Sequence, residues 1–239
     1  MKTLVFFDTE TVGVPEEISG DIIIQLSGVV SNSVNEMQFD SMCNPNKPMG
    51  IEAMEKHNIT PDMIEGLPDI TKTSAYAIFK TLASRDDVLF VCYNMSMDVE
   101  VMKRVGIDIT EKTIDLFRVI KLIQDKDDSI TWKSTRLSYL IYALELYKKR
   151  NEAQKGLGSH NALFDSYDLK LLYEYCVQTF GMTEELGLQI TNNPIFYSKV
   201  PFGTHKGKRW NQLTPNQIMW IKDNIKDADI QYTISKIGF

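Results

Sequence analysis

The chain has 239 residues, of which 43% are hydrophobic and 24% are charged, a composition that excludes an intrinsically disordered protein. It is long enough for one good-sized domain with its own core and a small appendage. The formal net charge of −6 excludes a uniformly basic surface for general nucleic-acid binding, although a cluster of metal-binding carboxylates also makes a chain acidic.

Short apolar runs near the N-terminus predict a three-stranded meander. The first strand covers residues 3–9 (TLVFFDT), and the next two cover residues 21–30 and 36–42. Residues 44–69 are rich in Pro, Gly and Asn, which predicts a loop with short helical turns. Residues 73–84 repeat apolar side chains at helical spacing, so a helix is expected there.

The middle of the chain alternates strands with helices. A buried strand over 88–92 (VLFVC) leads into a helix over 97–105 that Gly106 ends. The further predicted elements are a short strand at 113–116 continuing as helix to about 124, a loop over 125–136, a helix over 137–149, and a long helix over 161–180. This order indicates an α/β domain with a mixed β-sheet flanked by helices.

The composition of the sequence changes at about residue 190, where Pro and Gly begin to recur. We therefore predict a main domain over residues 1–185 and a small C-terminal helical module over 186–239. From Lys199 onward, seven Lys and Arg residues accompany three Asp residues, a local charge of +4. A basic tail on an acidic body favours contact with a polyanion, although a solvated basic surface would have the same composition.

The cysteines and the apolar segments bear on the compartment. Cys43, Cys92 and Cys176 lie far apart and form no CxxC pair, as expected for reduced thiols. The start of the chain holds only a short apolar run before an acid, too short for a secretory signal. No stretch reaches the roughly 20 apolar residues of a membrane span. We therefore expect a soluble, cytoplasmic protein with no membrane partner.

Two carboxylates end the first predicted strand. Asp8 and Glu10 are two residues apart, so their side chains project from the same face of a strand whose neighbours are apolar. Paired acids at the end of a buried strand repel each other unless a cation compensates them. A D-x-E pattern alone is a weak indication of a metal site.

Two further acids lie in later elements. Asp98 follows the strand over 88–92 at the start of a helix, where the helix dipole alone would also favour an acid. Asp165 lies early in the long helix among apolar side chains, five residues after His160 in a glycine-rich loop (GLGSHNALFD). A solvated acid and a loop histidine without a partner are the alternative interpretations.

These motifs stand in an order that carries a resemblance. FFDTET with Asp8 and Glu10, YNMSMD with Asp98, and SHNALFD with His160 and Asp165 closely resemble the DnaQ-like exonucleases of the DEDDh type, which have a ribonuclease-H-like fold. The resemblance covers roughly residues 2–181. Four acids and one histidine in the family's order are far more specific than any single motif.

The resemblance implies a 3′→5′ exonuclease that uses two Mg²⁺ ions, for which Mn²⁺ could substitute. Carboxylates and substrate phosphate are natural ligands of Mg²⁺, and two ions can stabilise the attacking and leaving oxygens of an in-line displacement. By the same resemblance, Asp8 bridges both ions, Glu10 and Asp165 complete the first, and Asp98 holds the second. His160 takes the proton from the attacking water.

Substrate contacts are implied for three residues beside these motifs: Thr9, Thr11 and Asn94. A second candidate contact combines the ring of Trp132 with the basic Lys133 and Arg136, as in single-strand binding. The alternative for Trp132 is a ring that covers the core. The two interpretations stand equal on the sequence alone.

The C-terminal residues 201–236 begin PFGTHKGKRW and are similar to the small module that follows the nuclease domain in exodeoxyribonuclease X-like proteins. The basic, aromatic stretch 206–210 could clamp DNA. Alternatively, Trp210, Met219 and Trp220 pack on the body of the protein. This similarity favours release of nucleoside monophosphates from DNA 3′ ends.

Three other functions are compatible with the same motifs. The chain could be a 3′→5′ exoribonuclease similar to ribonuclease T or oligoribonuclease, or a proofreading exonuclease that acts with a polymerase. It could also be an inactive nuclease fold that only binds nucleic acid. The complete set of acids argues against inactivity, because buried carboxylates without a metal cost stability.

Overall fold

A computed structural model of the protein describes residues 2–151, 154 and 161–239. Its sheet has the strand order β3-β2-β1-β4-β5. The strands are β1 Thr3–Thr11, β2 Ile23–Ser31, β3 Glu36–Met42, β4 Val88–Cys92 and β5 Thr113–Asp115. The first three form an antiparallel meander, and β1, β4 and β5 run parallel. The mixed sheet predicted from the sequence is therefore confirmed.

Helices cover both faces of this sheet, as in the ribonuclease-H-like architecture. In the described residues they are α1 Ile51–His57, α2 Pro61–Ile64, α3 Ser74–Ala83, α4 Met95–Arg104, α5 Leu116–Lys126, α6 Leu137–Ala143, α7 Ala162–Phe180, α8 Glu184–Asn192, α9 Pro215–Asn224 and α10 Ala228–Lys236. Helices α3 and α4 share one hydrophobic core with the sheet. Helices α5, α6 and α7 share the other.

The central strand β1 supplies both cores because its side chains alternate between the faces. The Phe7 ring lies 5.0 Å from the ring of Phe79 on α3. On the other face, the Phe6 ring lies 5.3 Å from that of Tyr173 on α7. Packing on both faces fixes the rotation of β1, and with it the faces to which its later polar residues belong.

Local signals set the ends of the long helix α7. The Asn161 side chain accepts hydrogen bonds from the N–H groups of Leu163 and Phe164, and so caps the first turn. At the other end, Gly181 adopts a positive φ of 65°, which glycine tolerates without steric cost. The helix expected over 161–180 is thus confirmed to within one residue.

The helix expected over 137–149 is interrupted, so that prediction is wrong in its second half. Helix α6 ends at Ala143, and Glu145 has a positive φ of 56°. A left-handed residue breaks the α-helical hydrogen-bond pattern. The chain then makes a separate 3-10 turn over Leu146–Lys149, which buries Leu146 against the second core.

The C-terminal residues pack around a third apolar cluster that includes Tyr197 and Trp210. Helix α8 runs across the predicted boundary at residue 185 and packs against β5. A Cβ at Gly187 would lie 2.9 Å from Ile114 Cγ2, so only glycine allows this approach. Two domains divided at residue 185 stay a prediction.

Two further expectations concern thiols and membranes. Cys43, Cys92 and Cys176 are buried and free, in agreement with the absence of a CxxC pair. Over residues 2–151, 154 and 161–239, none of the helices combines the length and the apolar character that crossing a membrane requires.

Candidate active site

Three carboxylates converge beside the end of β1. Asp8 and Glu10 project from the face of β1 that packs against α7, and Asp165 comes from the first turn of that helix. One oxygen of each lies within 4.8 Å of the others, so the three could hold a metal ion. The capped start of α7 therefore brings a residue distant in sequence to the pair on β1.

The two neighbours of β1 pair with it over different lengths, and this difference leaves the sheet open beside Asp8. β1 pairs with β2 as far as Thr11, but it pairs with β4 only as far as Phe6. From Asp8 onward, one edge of β1 therefore has no strand partner in the described sheet. The start of α4 lies along that edge and carries the fourth predicted acid.

That fourth acid, Asp98, is buried and bound to β1. Its Oδ1 accepts a hydrogen bond from the Thr9 N–H at 3.1 Å and another from the Thr9 hydroxyl at 2.6 Å. The side chain of Asp98 thus replaces the missing strand as a partner for the β1 backbone. Asp98 is not one of the three acids within 4.8 Å of one another. The negative charge of Asp98 nevertheless raises the pKa of Asp8 more than the charge of Asp165 or of Glu10 does.

All four carboxyl groups have raised pKa values, and burial is the largest cause in each. The pKa of Asp8 lies well above its usual range because burial adds to the charges of its neighbours. Burial and the charge of Asp165 raise the pKa of Glu10 to about 8. Burial and the charge of Asp168 raise that of Asp165 to about 7. Four acids that resist ionisation together form a site that a cation would stabilise.

The hydrogen bonds from Thr9 partly oppose this effect at Asp98. Burial raises the pKa of Asp98 to about 6, while both Thr9 bonds lower it. A carboxylate that accepts such bonds holds its charge at lower pH than one that lacks them. Asp98 therefore stays ionised to a lower pH than it would without the two bonds from Thr9.

Lys56 is a cation close to these acids. It lies in the last turn of α1, and its charge lowers the pKa of each of the four carboxyls. The Gly50 N–H donates to the Val12 carbonyl at 2.9 Å and so ties the start of α1 to the end of β1. This bond explains how an exposed helix places its lysine beside the acids.

Polar residues on β2 and β3 support the start of α7. The Oε1 of Gln25 accepts the N–H of Ala162 at 3.3 Å, and its amide donates to Asp40 at 2.9 Å. One turn beyond Asp165, Asp168 accepts two bonds from Arg150, at 2.9 and 2.6 Å. These contacts hold the helix turn that presents Asp165.

The other predicted site residues have the following places. His160 lies outside the described residues. Thr11 donates its hydroxyl to the Gly13 carbonyl, and Asn94 is exposed in a left-handed conformation with φ 72° at the start of α4. Trp132 is half-buried and packs against the second core, in agreement with the alternative of a covering ring. The substrate-binding roles of Thr9, Thr11 and Asn94 stay predictions.

The motifs did not identify several residues that shape this site. Lys56 and Gln25 carry no recognisable pattern, because their roles depend on contacts between distant elements. Asp115 accepts the N–H groups of Asn94 and Met95 at 3.0 and 3.2 Å and anchors α4. Its position after a short apolar strand and before a helix is the one signal in the sequence that could have indicated this.

Comparison with known proteins agrees with this geometry. The family model RNase T, described as an exonuclease, matches residues 5–173. Exodeoxyribonuclease 10 of Escherichia coli strain K12 is 25% identical over 226 residues, a match that covers 91% of this chain and 90% of that protein.

Solved structures share the fold. Exonuclease X in complex with 5′ overhanging duplex DNA has a TM-score of 0.59 and 23% identity, with 80% of this chain and 100% of that chain covered. The nuclease domain of 3′hExo, a DEDDh family member bound to rAMP, has a TM-score of 0.52 and 14% identity, with 74% and 92% covered.

Proposed function

The chain belongs to the RNase T family of exonucleases, and from this premise we propose that it releases nucleoside monophosphates from DNA 3′ ends by two-metal hydrolysis. The observation that carries the proposal is the meeting of Asp8, Glu10 and Asp165 within 4.8 Å. The family membership makes the chain a nuclease; the direction, the metal and the preferred nucleic acid are parts of the proposal.

The donor set fits a hard divalent cation. The three acids offer only oxygen ligands, and burial, followed by the charges of neighbouring carboxylates, raises their pKa values. Asp8, Glu10 and Asp165 would hold one Mg²⁺, and Asp8 with Asp98 would hold a second, with Mn²⁺ as a substitute. When bound, the ions polarise the phosphoryl oxygens and stabilise charge on the attacking and leaving oxygens.

The chain's own residues then have separate tasks. Thr9 orients Asp98 through its two hydrogen bonds. His160 accepts the proton of the attacking water, for which the ordinary pKa of histidine suits neutral pH. Thr11 and Asn94 contact the terminal nucleotide. Lys56, beside the acids, offers a positive charge to the substrate phosphate.

DNA is the proposed substrate for two reasons. The match to exodeoxyribonuclease 10 covers 91% of this chain and so includes the C-terminal residues as well as the nuclease fold. The stretch from Lys199 onward has a local charge of +4, which favours contact with a polyanion. A 3′→5′ exoribonuclease is the second candidate, since the matching family model bears the name RNase T.

A single set of time courses tests the proposal. One DNA strand and the RNA of the same sequence are labelled at the 3′ end or the 5′ end and incubated with Mg²⁺, with Mn²⁺ or with a chelator. We expect immediate release of the 3′ label as a mononucleotide and a ladder of shortened 5′-labelled strands, with DNA degraded faster than RNA.

A matched variant and three outcomes make this test decisive. Asp8→Asn keeps the shape of the side chain but loses a ligand, and we expect more than about a 100-fold loss of rate, beyond the loss typical of indirect metal contacts. Release of the 5′ label first would refute the direction. Full activity in chelator would refute the metal, and faster degradation of RNA would establish the second candidate.

A further inference from the structure

A cleft of about 740 Å³ lies between α5 and the C-terminal residues, and its lining includes none of the four acids of the candidate active site. Phe117 and Lys121 of α5 form one wall, and Tyr197, Val200 and Phe202 form the other. Its volume lies within the roughly 300–1,000 Å³ typical of small-molecule sites. The cleft therefore has room for a ligand and belongs to neither part of the chain alone.

Aromatic rings and a cation meet inside this cleft. The Lys121 Nζ lies 5.1 Å from the centre of the Phe117 ring and 5.3 Å from that of Tyr197. Phe202 adds a third, half-buried ring to the lining. Flat apolar rings beside an ammonium group suit a ligand with an aromatic base and an attached anion.

The lining of the cleft holds three acids and three lysines. Its three acids are each engaged: Asp125 accepts the N–H groups of Ser198 and Lys199, Asp128 pairs with Lys199 and Arg209, and Asp227 accepts the N–H of Ile230. Of the cations in the lining, Lys121 and Lys206 form no ion pair with any carboxylate that the structure describes. Two positive charges are thus available to a ligand.

One buried polar group also lacks a partner. Tyr197 is fully buried, and its hydroxyl forms no hydrogen bond with any of the residues described by the structure. A phenol without a partner costs free energy in a folded protein. Because this hydroxyl has no solvent-accessible surface, a ligand that enters the cleft would not reach it.

The cleft lies one side chain away from the start of α4. The Tyr93 ring is 5.5 Å from that of Phe117, and its hydroxyl donates to the carbonyl of Thr135. Phe117 and Thr135 both line the cleft. Tyr93 directly precedes Asn94, so a nucleic acid held in the cleft would be near the helix that carries Asp98.

We propose that this cleft binds a nucleotide, with its base against Phe117 and Phe202 and its phosphate at Lys121 and Lys206. The nucleotide belongs to a single strand or is a free nucleoside monophosphate. The proposal rests on the proposed function in one respect, that nucleic acid is the substrate of this protein. This nucleotide site is separate from the four acids of the candidate active site and needs no metal.

Binding is measured on the full chain in chelator, so that no hydrolysis occurs. One arm follows the fluorescence anisotropy of a labelled single-stranded DNA, and the other titrates thymidine 5′-monophosphate by calorimetry. Binding in both arms identifies a site for any nucleotide, whereas binding of the strand alone identifies a subsite for the substrate.

Three variants separate the cleft from general charge. Phe202→Leu keeps apolar volume but loses the ring, so affinity should fall about fivefold or more. Tyr197→Phe keeps the ring and removes a buried hydroxyl without a partner, so neither the melting temperature nor the affinity should fall. Lys206→Gln should lower the salt slope of strand binding by about 0.7, the value for one phosphate contact.

The matched control is Lys208→Gln, an exposed lysine two residues away that does not line the cleft. Equal losses at Lys206 and Lys208, or unchanged affinity in Phe202→Leu, would overturn the proposal. Because the readout is binding in chelator, it does not depend on activity. A chain that loses binding in these variants but releases no 3′ label would keep the cleft and refute the exonuclease proposal.

Discussion

Thr9 binds one oxygen of Asp98 twice, through its backbone N–H at 3.1 Å and its hydroxyl at 2.6 Å. Both groups act on Oδ1, which leaves Oδ2 available to a cation. The residue between two predicted metal ligands thus orients a third one from another element. In the proposed metal site, Thr9 would therefore act indirectly, through Asp98.

Thr9→Val removes the hydroxyl bond but keeps the N–H bond and the branched shape of the side chain. We expect metal affinity or activity to fall about 10- to 100-fold, as when other residues that orient metal ligands are lost. Calorimetric titration with Mg²⁺ and the rate on 3′-labelled DNA measure the change. Thr9→Ser keeps a hydroxyl and should restore most of both. Equal losses in the two variants would show that shape, not the hydrogen bond, matters.

His160→Ala should lower the rate about 10²- to 10⁴-fold, because a positioned general base contributes that much to proton transfer. Mg²⁺ affinity should change little, since the ligands in the proposal are all carboxylates. The rate and a calorimetric titration of the same sample provide the two readouts. A parallel loss of Mg²⁺ binding would instead make His160 part of the metal site.

Without metal, stability should fall as pH rises from 4.5 to about 8. Over this window the folded protein keeps a proton on Glu10, whose pKa is raised from 4.5 to about 8, whereas the unfolded chain has released it. The folded state thus binds more protons than the unfolded state, so the free energy of unfolding decreases with pH. Mg²⁺ would compensate the charges of these buried carboxylates, so its stabilising effect should increase over the same range.

Thermal unfolding at the two ends of this window, in chelator and in Mg²⁺, measures the effect. Glu10→Gln cannot ionise and should weaken the metal-free dependence, to which Asp8, Asp98 and Asp165 still contribute through their own raised pKa values. A metal-free melting temperature that rises between these pH values in the unchanged protein, or the same dependence in Glu10→Gln, would contradict the prediction.

Lys56→Met should destabilise the metal-free protein at pH 8 and have little effect at pH 4.5. The lysine lowers the pKa of all four acids, so it stabilises their ionised forms, which are populated only at the higher pH. Lys56→Arg keeps the charge and should behave like the unchanged protein. Equal destabilisation at both pH values would mean that packing of the side chain, rather than its charge, is responsible.

The sequence was sufficient for the parts of the site that follow from short-range rules. The two-residue spacing of Asp8 and Glu10 predicts one strand face, and the strand has that geometry. The long helix predicted over 161–180 begins at Asn161, whose side chain caps its first turn. The strand β3 and the strand β4 begin and end where the apolar pattern predicted.

The remaining features depend on contacts that no local pattern contains. The positive φ of Glu145 ends a helix whose apolar spacing continues beyond it. Lys56 acts on the acids from α1, whose start the Gly50 N–H ties to the Val12 carbonyl. Asp98 can bind Thr9 because the pairing of β4 with β1 ends at Phe6, before β1 itself ends. Apolar runs alone determine the length of a strand poorly.

Two buried carboxylates attach the C-terminal residues to α5, one from each side of the contact. Asp125 of α5 is held by the N–H groups of Ser198 and Lys199, while Asp229 of α10 binds Arg118 of α5 at 3.1 Å and the Ile195 N–H at 2.9 Å. Detaching residues 186–239 would take both N–H donors from Asp125 and would separate Asp229 from Arg118. The two parts are therefore coupled energetically, and a nucleotide in the cleft between them would strengthen the cooperativity of the whole chain on heating.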